Sequence, residues 1–148
     1  CEKPNGKIVK KLTALSEPYC WYKFAISESK DGWLKIENLV VLPACEKSEL
    51  NENIRRYKGK WILASNMEID LPDTGADNIS EIDYHFYEKP NVDSKVVFTA
   101  NEFLRTYLIA VHGTWAKVNV VKDGKKYCGW IQRKYQCPYP WTTCPVWN

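Results

Sequence analysis

Apolar and polar residues alternate with a period of two over several short stretches of this chain. Trp33-Leu34-Lys35-Ile36 and Trp115-Ala116-Lys117-Val118 are the clearest. In an extended strand that period puts Leu34, Ile36, Ala116 and Val118 on one face and the Trp and Lys residues on the other. Phe24-Ala25-Ile26, Ile109-Ala110-Val111 and Tyr84-His85-Phe86-Tyr87 read as further strands, as do Trp61-Ile62 and Trp130-Ile131. Lys30-Asp31-Gly32 and Lys122-Asp123-Gly124 have hairpin-turn chemistry, since Gly accepts positive φ and Asp bonds its own backbone. Short strands at intervals of roughly 8–12 residues, punctuated by such turns, predict an all-β fold, a small barrel or sandwich. Helical pattern is minor: Cys45–Arg56 is the best candidate, and Ala100–Thr106 suits one short turn.

The same pattern occurs twice. Residues 2–14 (EKPNGKIVKKLTA) and 88–100 (EKPNVDSKVVFTA) are identical at six of 13 positions without a gap. An apolar strand, a turn, a Trp-led strand and a second Trp-led strand follow in the same order in each half. Phe24–Ile26 is set against Ile109–Val111, Lys30–Gly32 against His112–Thr114, Trp33–Ile36 against Trp115–Val118, and Gly59–Ile62 against Cys128–Ile131. The halves differ in length between their two Trp residues: 27 residues separate Trp33 from Trp61, and 14 separate Trp115 from Trp130. The organisation expected is therefore a first unit at 1–64, a joint at 65–83 and a second unit at 84–148. Within the joint, Asn66–Leu71 suits an edge strand, and residues 72–78 suit a surface loop.

Charge marks the same division. Residues 1–64 carry 12 basic and 8 acidic side chains, 65–83 carry 6 acidic and none basic, and 84–148 carry 9 basic and 4 acidic. The net +3 over 148 residues gives no reason to expect a nucleic-acid partner. No apolar run reaches the roughly 18 residues of a membrane span or the form of a signal peptide. Seven Trp and nine Tyr are a large aromatic complement, suited in part to the core and in part to a surface that docks a ligand.

The six cysteines are Cys1, Cys20, Cys45, Cys128, Cys137 and Cys144. None forms a C-x-x-C pair, and with two His residues a Cys/His metal cage is hard to build. Structural disulfides in an oxidising compartment and buried thiols both remain open. Cys137 and Cys144 bracket a short Pro-containing loop whose ends suit a bridge, and the pairing of the other four is undetermined. Cys1 is also the residue with which a processed bacterial lipoprotein begins. No nucleophile, base and orienting group stand in a recognisable constellation. His85 reads as a strand-face residue, His112 as a turn residue and Cys128 as a structural position. The chain is expected to be neither an enzyme nor a cofactor protein.

Tyr87-Glu88-Lys89-Pro90, then Gly113-Thr114-Trp115-Ala116-Lys117-Val118, Asp123-Gly124 and Cys128-Gly129-Trp130-Ile131 resemble the bacterial SH3-like (SH3b) domain. The first half keeps Pro4, Asp31-Gly32-Trp33-Leu34-Lys35-Ile36 and Gly59-Lys60-Trp61-Ile62, and departs in its insertion and in Lys60. The resemblance implies two tandem small SH3-like barrels packed together. It further implies a non-catalytic binding module outside the cytoplasm, periplasmic, secreted or on the cell surface. The implied partner is a cell-wall polymer, glycan or peptide, or else an exported protein such as a hydrolase. On this reading the ligand-contacting aromatics are Trp33, Tyr84, Tyr87, Trp115 and Trp130.

Overall fold

The computed structural model describes residues 6–8, 22–41, 54–71, 82–102 and 104–137. The fold is all-β, built on two antiparallel sheets. In the first sheet β1 (Tyr22–Lys30) pairs with β2 (Trp33–Val41), which pairs with β3 (Trp61–Leu63). The second contains β4 (Glu68–Asp70), β5 (Tyr84–Tyr87), β6 (Val96–Ala100), β7 (Arg105–His112), β8 (Trp115–Lys122) and β9 (Lys125–Gln132). Their order across the sheet is β4-β7-β8-β9-β5-β6. Short 3-10 turns lie at Ile54–Tyr57, Ala64–Asn66 and Arg133–Tyr135.

The turns form as their residues dictate. Asp31 and Gly32 both have positive φ (49° and 79°), as do Asp123 and Gly124 (51° and 73°). Two consecutive left-handed residues match the right-handed twist of flanking strands, which is why Asp-Gly closes both two-residue hairpins. The expected alternation is also present. Leu34, Ile36, Ala116 and Val118 are buried, whereas Trp33, Lys35, Trp115 and Lys117 are half-buried on the opposite face.

The two halves repeat in register as well as in motif order. In the first hairpin Ile26 faces Ile36 and Glu28 faces Lys35, leaving Ser27 as an extra residue. In the hairpin of β7 and β8, Leu108 faces Val118 and Ala110 faces Lys117, leaving Ile109 as the extra residue. These two bulges interrupt the same step of the ladder, and counterparts in the two hairpins lie 82 positions apart; a further shift, between Ala25 and Ile26, occurs in the first hairpin alone. The next strand pairs alike: Leu34 faces Ile62 and Lys35 faces Trp61, as Ala116 faces Ile131 and Lys117 faces Trp130. This register corrects one alignment made from sequence. The counterpart of Phe24-Ala25-Ile26 is Thr106-Tyr107-Leu108, not Ile109-Ala110-Val111. The apolar triplets look alike, but the position of the turn fixes the offset.

One hydrophobic core serves both sheets. It includes Leu34 and Ala64 with Leu71, Tyr84, Phe86, Leu108, Val118, Val120 and Ile131. The edge strand expected over 66–71 is β4, which pairs with β7. Met67 and Ile69 pack on the core, and the buried Thr106 hydroxyl donates to the Ile69 carbonyl. Glu68–Asp70 of the acidic joint are thus built into the second sheet. Ala100 ends β6 and Arg105 begins β7, so no helical turn forms over the described residues of 100–106. The Leu104 carbonyl accepts the Leu71 N–H at 3.1 Å. The helix expected from Cys45, the loop at 72–78, Cys144 and most of the first repeat segment lie outside the described residues, apart from the turn at Ile54–Tyr57.

Candidate aromatic face

β8, β9 and β5 each alternate, so the residues between the core positions share the outer face of the second sheet. From β8 come Trp115 and Lys117, from β9 Cys128, Trp130 and Gln132, and from β5 His85 and Tyr87. β9 lies between β8 and β5, and Trp130 is the cross-strand neighbour of both Lys117 and Tyr87. The two indoles lean in opposite directions over the sheet. Trp115 reaches across β9 to Tyr87, with ring centroids 5.5 Å apart and planes at 90°. Trp130 reaches across β8 to His112, with centroids 6.5 Å apart and planes at 81°. The edge of one ring thus meets the face of another, the arrangement favoured by the aromatic quadrupole. Lys117 places its ammonium 5.9 Å from the Trp130 ring centre, within cation–π range. His85 extends the row: its ring lies 6.3 Å from Tyr87, and its Nδ1 is 3.0 Å from the Thr99 hydroxyl.

Three of the aromatics named from sequence therefore meet on one face: Tyr87, Trp115 and Trp130. Two do not join them. Tyr84 is 2% exposed and belongs to the core, with its ring 5.3 Å from Tyr135 in an edge-on contact. The strand period explains this, because Tyr84 shares the face of Phe86 and so points opposite to Tyr87. Trp33 stands on the other sheet, where it occupies the position equivalent to Trp115. There Lys35 lies 5.9 Å from the Trp61 ring centre, repeating the Lys–Trp pair of the second half.

Lys117 and His112 were not among the site residues named from sequence. The signal for Lys117 is the Trp-x-Lys period, which sets it on the same face as Trp115. His112 ends β7 directly opposite Trp115, a placement that only the hairpin register reveals.

Cys128 is a free, exposed thiol across from Asn119. Cys137 is buried and disulfide-bonded, and its partner lies outside the described residues. Its backbone exchanges two hydrogen bonds with Asp70, of 2.9 and 2.8 Å. Among the described residues, no group of three or more His, Cys, Asp or Glu side chains is arranged to hold a metal ion, and no helix is long and apolar enough to cross a membrane. In comparisons with known proteins, no family model, curated protein or solved structure matches the chain.

Proposed function

We propose that this chain is a non-catalytic binding module that acts outside the cytoplasm and recognises cell-wall glycan through the outer face of its second sheet. The observation that carries the reading is the convergence of Tyr87, Trp115 and Trp130 on one half-buried face, bordered by His112 and Lys117. Aromatic rings beside polar donors suit a sugar, which offers C–H groups to a ring face and hydroxyls to its borders. The scaffold is rigid where it matters, because the rings stand on paired strands rather than on loops. The tandem SH3-like pattern and the six cysteines fit the same setting.

Retention of the purified chain on insoluble peptidoglycan at low salt tests this. The chain is expected to be retained, and Trp115→Ala or Trp130→Ala to lose most of the retention while remaining folded. Trp33→Ala, on the other sheet, is expected to keep it. No retention of the unmodified chain above a matched inert protein would overturn the reading.

A second reading is a docking domain for an exported hydrolase. It is favoured by the sheet edge at β6, where Val96 and Val97, with nearby Val92, are exposed. Such an edge presents unpaired backbone groups to a partner strand. Crosslinking to a protein partner without wall retention would select it.

A further inference from the structure

The two repeats hold the same lysine in different electrostatic settings, and the difference points to the charge of the ligand. Lys35 and Lys117 are counterparts: each follows the second-strand Trp by two residues, and each faces the next Trp across the ladder. In both, the ammonium lies 5.9 Å from that indole. The residue opposite on the preceding strand differs. Lys35 faces Glu28, and their charged groups pair at 3.3 Å. Lys117 faces Ala110 in the same register. Among the described residues, none of those flanking Lys117 on the outer face is acidic: Ala110, His112, Trp115, Asn119 and Trp130. One repeat thus pairs its lysine with a carboxylate, while the other, among the described residues, leaves its lysine without an acidic neighbour at the border of the aromatic face.

We infer that Lys117 is the specificity residue of this face and that the ligand is a carboxylate-bearing sugar, its ring on the Trp115–Trp130–Tyr87 surface and its carboxylate on the Lys117 ammonium. This rests on the glycan reading above and sharpens it. A cation with no internal partner raises the local concentration of anionic ligands. An ammonium without an acidic neighbour gains a charge-assisted hydrogen bond when a carboxylate meets it. Lys35 gains less, since its partner is already in place.

The experiment titrates the full chain with N-acetylglucosamine and with N-acetylmuramic acid, which differ by one lactyl ether carrying a carboxylate. The Trp115 and Trp130 indole N–H resonances are followed by NMR. The acid is expected to bind about threefold tighter, the scale of an exposed charge pair. That preference should fall to near unity in Lys117→Met and at high salt, and persist in Lys35→Met. Lys117→Met keeps the apolar stem, and its melting temperature shows that it is folded. Equal affinities for the two sugars in the unmodified chain would overturn the charge inference and leave the glycan reading standing. A preference that survives Lys117→Met would overturn the role of Lys117. If neither sugar moves the indole resonances, the inference and the location of the glycan site both fall, whatever the wall retention.

Discussion

Ser29 and Val111 occupy the same position in the two repeats, 82 residues apart, and are hydrogen-bonded to each other. The Ser29 hydroxyl donates to the Val111 carbonyl at 3.1 Å and accepts the Val111 N–H at 3.0 Å. Equivalent positions meeting each other is the mark of an isologous contact, here between two halves of one chain. The hydroxyl acts as a one-residue patch of β-ladder that joins β1 to β7.

Ser29→Ala removes both bonds and leaves a part-buried donor and acceptor unpaired, so it should cost about 1–3 kcal/mol. Denaturant unfolding checks this, with a lowered midpoint and an unchanged slope if the halves still unfold together. A biphasic transition would show that this contact is what couples them.

Gly129 marks a close approach inside the second sheet. A Cβ there would lie 2.8 Å from the Phe86 Cβ and 2.9 Å from a Val97 methyl. Gly129→Ala must therefore push β9 away from β5 and β6, and overpacking of this kind costs about 1–3 kcal/mol. Thermal unfolding should show the loss. An unchanged melting temperature would mean that the strands part freely.

The strands, both Asp-Gly hairpins and the inward set Leu34, Ile36, Ala116 and Val118 were legible in the sequence, because each is fixed by a local period or by turn chemistry. Less local features were not. Tyr84 looked like a surface ring because β5 alone does not say which of its faces is covered. The three-residue error in matching β1 to β7 arose because apolar triplets are interchangeable in composition. The position of the turn fixes the true offset, and the bulges at Ser27 and Ile109 leave no mark of their own in the sequence. The aromatic face was half legible. Trp115 and Trp130 stood out by repetition, but their union with Tyr87 depends on β9 returning between β8 and β5.

The duplicated Lys–Trp pairs offer a direct comparison. Double-mutant cycles on Lys35/Trp61 and Lys117/Trp130 should each give a coupling of about 0.5–1 kcal/mol in stability, the range of an exposed cation–π contact. Glu28→Gln should change the first cycle and leave the second untouched, since only Lys35 has that carboxylate as neighbour. Couplings of opposite sign would show that the repeats share register without sharing energetics.

Asp70 should make stability depend on pH in a sense opposite to that of most paired carboxylates. Its side chain is buried, and the Oδ1 atom has no hydrogen-bond partner among the described residues and lies 3.7 Å from the Arg105 Nε. Burial pushes its pKa above the ordinary carboxylate value. Arg105 pulls it back, while the Glu68 charge adds to the rise. The folded state therefore holds the Asp70 proton more tightly than the unfolded chain does. Stability from this group is present below the unfolded pKa, is lost as pH rises through the folded value, and stays lost above it. Asp70→Asn mimics the protonated form. Relative to the unmodified chain it should gain stability at about pH 7, and the gain should shrink toward about pH 4, near the unfolded pKa. Glu68→Gln, by removing the second negative charge, should narrow the same pH-dependent gap. Urea unfolding of the three proteins at both pH values decides the matter. A gap between Asp70→Asn and the unmodified chain that is equal at the two pH values, or larger at the acidic one, would show that Asp70 is not held as a buried, proton-favouring carboxyl group.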